Sequence, residues 1–267
     1  MALFEFELDP VEQIEPWGKP ESPNLSWFAL TLGRFWMPVG DQVLFRYREG
    51  AFSQFGDEAS RTVDYQMAAI ADDILGSVAT AVAPLPPFFA SLASNREMMD
   101  RLSSLPVEEE DEAEGDLDLD YTAWRWLAER SPWTGYFVAC PKFYFIRLGE
   151  RLHIRWGNRE RRVEGVEIWE AAYGSFEMSV EAFTSECRDF ADRLLSQMED
   201  RIARIETGVA RAQIPLSIES LREQHERWRS DFDSFFRPKP PDIPWEETEA
   251  AIRKIAASNG MLLPVAV

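Results

Sequence analysis

The sequence predicts an α+β fold: two β-meander-plus-helix units, internally duplicated around antiparallel sheet, with additional helices at the C-terminal end. Three observations predict it. Residues Phe28–Tyr47 fall without a gap on Phe137–Trp156 after a shift of 109 positions, so that Phe28 meets Phe137, Trp36 meets Phe145, Gly40-Asp41 meets Gly149-Glu150, and Phe45-Arg46-Tyr47 meets Ile154-Arg155-Trp156. Apolar residues at helical spacing follow each copy. Val63, Met67, Ile70, Ala71, Ile74, Leu75, Val78 and Val82 match Phe183, Cys187, Phe190, Ala191, Leu194, Leu195, Met198 and Ile202, 120 positions on. Two amphipathic stretches then close the chain, and their charged residues lie off the apolar stripe.

Taken in order, residues 3–8 (LFEFEL) alternate apolar and acidic, the period of a half-buried strand. Prolines punctuate the crossing that follows. Strands are expected at Leu25–Thr31, Arg34–Val39 and Gln42–Tyr47, with turns at Leu32-Gly33 and Gly40-Asp41; aromatic and β-branched residues dominate them, as pleated packed surface requires. The first long helix is expected over about Glu58–Val82 and a short one over Pro87–Leu102. Uncharged residues from Ile74 to Asn95 are numerous enough to span a bilayer, but Pro84, Pro86 and Pro87 interrupt them, so the stretch reads as a helix end and a turn. Tyr121–Glu129 reads as a Trp-rich helical turn or two, and Val166–Tyr173 with Ser175–Met178 as an inserted hairpin parted by Gly174. The last helices are expected over Leu216–Phe236 and Trp245–Ser258, the second stopped by Asn259-Gly260.

One compact domain over residues 1–267 is expected, because each copy alone would bury too little apolar surface. Within it, residues 1–103 hold the first unit, 104–123 an acidic connector, 124–207 the second unit and 208–267 the C-terminal helices.

The chain carries 47 acidic against 28 basic residues, net −19. Such a surface repels phosphate backbones and anionic membranes and steers basic proteins toward it. Solubility alone is the competing account of the charge. Two cysteines in 267 residues make no disulfide framework, and with no apolar leader after Met1 a reduced, cytoplasmic setting is the expectation. No cofactor and no metal is expected. His153 and His225 stand far apart with no Cys or His at ligand spacing; the Asp116/Asp118/Asp120 rhythm of a calcium loop fails at Tyr121, where glycine is required, and at Leu127, where glutamate is required. No phosphate-binding glycine loop and no nucleophile elbow occurs. His153 reads as a strand filler, Cys140 and Cys187 as small core residues. Arg46 and Arg155 are matched between the copies and flanked by aromatics; they serve either anion binding or a structural pairing.

The partner-binding candidates are Glu108, Glu109, Glu110 and Asp111, which begin a run of nine acids without a base, together with Trp124, Trp126 and Trp133 beyond it. Tryptophan beside an acidic segment suits an interface, and equally a cap on the second unit's core. The segments Pro16-Trp17-Gly18, Leu25-Ser-Trp27-Phe28-Ala-Leu-Thr31, Leu44-Phe45-Arg46-Tyr47 and Val63-Asp-Tyr65-Gln66 resemble an uncharacterised bacterial family, domain of unknown function 5984, as does Phe183–Arg201. The resemblance implies a bacterial cytosolic protein and brings no catalytic residues with it.

Three functions fit these observations. The first is a non-enzymatic acidic protein-binding module, in its most concrete form an immunity- or antitoxin-type inhibitor of a basic bacterial toxin. The second is an enzyme with a carboxylate-based site between the two copies, which a pocket holding two carboxylates, one of raised pKa, would favour. The third is a structural scaffold that forms a homo-oligomer.

Overall fold

The structure, a computed structural model, describes residues 2–51, 61–105, 119–237, 239 and 241–263. In chain order the elements are β1 (Glu5–Leu8), β2 (Trp17–Lys19), β3 (Ser22–Asn24), β4 (Leu32–Val39), β5 (Gln42–Leu44), β6 (Val63–Gln66), α1 (Met67–Gly76), α2 (Val78–Val82), α3 (Pro87–Ser94), α4 (Arg96–Leu102), α5 (Leu119–Ala128), β7 (Phe143–Leu148), β8 (Arg151–Gly157), β9 (Arg162–Val163), β10 (Val166–Glu167), β11 (Tyr173–Ser179), α6 (Val180–Glu206), α7 (Ile218–Phe235) and α8 (Trp245–Ser258). The fold is α+β with antiparallel sheets, as the periodicity predicts.

Both hairpins turn on a two-residue loop with glycine at positive φ in its first position, Gly40 at 67° and Gly149 at 60°. This is the arrangement of a type II′ turn, whose twist matches that of the strands. The order strand, strand, strand, helix also recurs once the short β9–β10 hairpin of the second half is set aside. The pairing does not. In the first half β6 lies beside β4, the first hairpin strand; in the second half β11 lies beside β8, the second hairpin strand. The cause is local. Phe45 takes φ 62°, so β5 leaves the sheet after Leu44, and β6 fills the edge of β4 from Leu32 to Phe35. Strand β8 runs on to Gly157 and covers all of β7. The hairpins therefore belong to two separate sheets, of four and three strands, rather than to one shared sheet.

Other boundaries differ from expectation. The first helix begins at Met67, not near Glu58, because Val63–Gln66 pair with β4. Ala29–Thr31 form a 3-10 turn in place of the end of a strand, and Gly33 lies inside β4. The inserted hairpin is β9–β10, turning on Glu164-Gly165, while β11 passes straight through Gly174. Asn95 divides the Pro87–Leu102 helix by capping α4 at the Met98 N–H. Helix α8 has the bounds its spacing predicts.

Helix α6 is the axis of the main core. Its buried stripe is Phe183, Cys187, Phe190, Ala191, Leu194, Leu195, Met198 and Ile202. Phe190 meets Phe4, Phe6 and Phe35 of the first half, and Phe183 meets Phe145 of the second. Arg193 and Arg201 donate from the same helix to the carbonyls of Phe4, Leu30 and Asp9, fixing the N-terminal segment. Across β7, Phe143 and Phe145 face this core, whereas Tyr144, Ile146 and Leu148 face a second cluster built by α3, α4, α5 and α8. The second sheet is thus covered on both faces. Among the described residues no single helix is long and apolar enough to cross a membrane; α1–α2 and α3 form a bent pair, at 114°, that meets the length and composition alone.

Candidate functional site

An open cleft of about 890 Å³ lies between the end of α1, the outer face of α5, the loop 131–135 and the start of β7. Asp72 and Asp73 line one side near the C-terminal end of α1, where the helix dipole already disfavours negative charge. Burial, with Asp231 of α7 adding to it, raises the Asp72 carboxyl. Burial raises Asp73 further, to about 6, against the donated hydrogen bond from Tyr136 Oη at 3.0 Å. That phenol is held flat on Tyr65 of β6, with ring centres 4.3 Å apart. Asp73 is therefore a fixed carboxyl poised near neutrality.

A charge-neutral variant tests this. A carboxyl raised from 3.8 to about 6 gives a folded state that holds its proton longer than the unfolded chain, so stability falls as pH rises between those values. Asp73→Asn keeps an acceptor for Tyr136 and removes the charge. Urea unfolding at pH 8 should show the variant roughly 1 kcal/mol more stable, after allowance for solvent screening at this half-exposed site. At pH 4 the two proteins should coincide.

The cleft mouth is aromatic. Trp133 is 63% exposed and Tyr121 55% exposed, while Trp124 is half-buried. The Trp133 indole is nonetheless fixed. It meets Tyr136 edge-on at 5.1 Å and lies over Gly135, where a Cβ would stand 2.3 Å from the ring. Only glycine permits that pose.

The sequence candidates divide accordingly. Trp124 and Trp133 come together at the cleft. Trp126 does not: it is fully buried against Phe89 in the second core cluster, on the stripe Ala123, Trp126, Leu127 that α5 turns inward, and cannot touch a partner. That stripe of three and four residues was the signal that separates it from Trp124. Glu108, Glu109, Glu110 and Asp111 lie outside the described residues. His153 faces Glu177 at 3.8 Å from β8, away from the cleft. His225, also buried, accepts a hydrogen bond from Trp27 Nε1 at Nδ1. Cys187 is core and Cys140 lines the cleft with Sγ directed to the Phe137 carbonyl. Arg46 pairs with Glu170 at 3.7 Å; Arg155 is buried and pairs with no carboxylate among the described residues. Sequence does not mark the carboxylates Asp72 and Asp73 as site residues, because their helix reads as amphipathic and acids on its outer face read as solvated.

Among the described residues no group of three or more His, Cys, Asp or Glu side chains is placed to hold a metal ion. No curated protein and no solved structure matches the chain. A model of one family, described as a family of unknown function (DUF5984), matches residues 3–251. With nearly its whole length matched, the chain belongs to that family.

Proposed function

We propose that the protein is a non-enzymatic binding module, an immunity- or antitoxin-type inhibitor in the bacterial cytoplasm, which caps a basic toxin with the mouth of the cleft. The observation that carries this reading is Trp133: a large, rigidly held and exposed indole beside Asp72 and Asp73. Exposed aromatics on fixed backbone lose little entropy on binding and dominate interface energetics. Carboxylates around it would receive Lys or Arg side chains, and the net charge of −19 would accelerate encounter.

The test is affinity purification from the native host with the full chain as bait, then titration of the recovered protein. A basic partner is expected. Trp133→Ala should weaken binding on the order of 30-fold or more, as interface tryptophans do, and raising salt should slow association sharply. Gly135→Ala, which displaces the indole without deleting it, should act in the same direction. Recovery of no basic protein, together with neighbouring genes that encode no secreted toxin, would end the proposal.

A second reading has one observation of its own. Asp73, raised to about 6 beside Asp72 in one cleft, has the pairing that acid–base catalysis by carboxylates needs. Any hydrolytic activity found by substrate screening should then show a pH limb near 6 that Asp73→Asn removes. An activity indifferent to that substitution would not belong to this site.

A further inference from the structure

Beyond the cleft, on the same face of the second sheet, lies a smaller pocket of about 400 Å³ with the opposite charge. Four cations line it: Arg96 from α4, Lys142 before β7, Arg155 from β8 and Arg159 after it; its acids are Asp100 and Glu160. In a chain with 19 more acids than bases, this sign reversal is local, and its cations come from three separate segments. Strand pairing builds it. Arg155 opposes Tyr144 on β7 and Ser175 on β11, and Tyr173 opposes Gly157, which places Tyr144, Arg155 and Tyr173 on one face.

Backbone carbonyls and an aromatic ring, more than carboxylates, hold these cations. Arg96 donates to the carbonyls of Gly174 and Trp156 at 2.6 and 2.7 Å. Arg155, 6% exposed, donates through Nη1 to the Ala93 carbonyl at 2.6 Å. Arg96 and Arg159 both stack on the Tyr173 ring, at 3.7 and 4.6 Å, so one aromatic surface orients two guanidinium groups. Asp100 lies 3.6 Å from Arg96 but also accepts from Tyr173 Oη at 2.7 Å. Among the described residues no carboxylate comes within 4.0 Å of Lys142, Arg155 or Arg159. Burial first, and then the neighbouring Arg96, lower the Arg155 pKa, with Asp100 opposing them. Met99, Leu127 and Tyr144 supply an apolar wall beside them.

We propose that this pocket binds a small organic phosphate, with a phosphate monoester held by Arg155, Arg159, Arg96 and Lys142 and its apolar body against Met99 and Tyr144. Planar guanidinium forks suit phosphate oxygens, and a dianion matches several converging cations better than one carboxylate does. The volume is that of a small-ligand site. The inference does not depend on the toxin-inhibitor reading; it concerns a pocket that adjoins the cleft and shares Leu127, Lys142 and Tyr144 with it.

The experiment is isothermal titration of the full chain with phenyl phosphate, benzoate and inorganic phosphate, each in chloride of matched ionic strength. Phenyl phosphate is expected to bind, more tightly than either control. Arg159→Gln and Lys142→Met, both at solvent-accessible positions, should each weaken it at least ten-fold without changing the thermal midpoint of the free protein. No saturable binding of phenyl phosphate, or binding that both variants leave unchanged, would overturn the proposal.

Discussion

Gly33→Ala is expected to cost about 3 kcal/mol or more, at the top of the range for overpacking a core, and to release the N-terminal strand. A Cβ built on Gly33 stands 2.2 Å from the Glu7 carbonyl oxygen and 2.8 Å from the Leu8 Cα. Both obstacles are backbone, so no rotamer change relieves them. Strand β4 is hemmed on both sides there, by Leu8 of β1 and Tyr65 of β6, and cannot step aside without breaking one ladder. Since Phe4 and Phe6 bring the N-terminal segment onto Phe190, displacing β1 also opens the main core. Urea unfolding should give the free-energy loss, and hydrogen exchange should show the amides of residues 5–8 losing protection first. Gly149→Ala is the control. Its φ of 60° is unfavourable to alanine, but nothing lies within 4 Å of the added carbon, so only about 1 kcal/mol should be lost.

Gly33 also shows where sequence reading stops. A glycine between apolar runs is a turn signal, and Leu32-Gly33 reads as one. Its real constraint is a strand from the other end of the unit passing within contact, which local pattern does not encode. The same limit applies to Val63–Gln66. Val63 and Met67 are four apart and continue the helical stripe, yet the edge of β4 left open by β5 captures Val63–Gln66 as a strand. Where neighbours in space are neighbours in sequence, the pattern suffices: the whole buried stripe of α6 and both bounds of α8 follow from spacing.

The candidate sites divide on the same principle. Trp126 is core because α5 turns it inward at helical spacing, and that is legible. Trp133 is exposed because Ser131-Pro132 ends the helical stretch and Gly135 accepts its ring, a pose no periodicity describes. Arg155 stands out in the sequence through its match with Arg46. Their environments diverge because the two hairpins pair differently: Arg46, beside the break in β5, finds Glu170, while Arg155 sits inside an unbroken strand under α3 and finds only a carbonyl.

Phe45→Ala should be the most damaging substitution between the two halves, at about 3–5 kcal/mol for a buried phenylalanine truncated in a core that cannot collapse. Its ring touches Phe35 of β4 at 5.0 Å, Phe143 of β7 at 5.2 Å, Phe137 at 5.6 Å and Trp169 at 6.5 Å, so it belongs to both units at once. It reaches them from a left-handed backbone, φ 62°, which a side chain with a Cβ adopts at a cost of roughly 1–2 kcal/mol. That gives the prediction an unusual sign. In an ordinary strand glycine is worse than alanine by about 0.5–1 kcal/mol. Here Phe45→Gly loses the same ring contacts but relieves the backbone, so it should be about 1 kcal/mol more stable than Phe45→Ala in urea unfolding. If alanine proves the better of the two, Phe45 continues β5 as an extended strand residue, and the break that lets β6 pair with β4 is wrong.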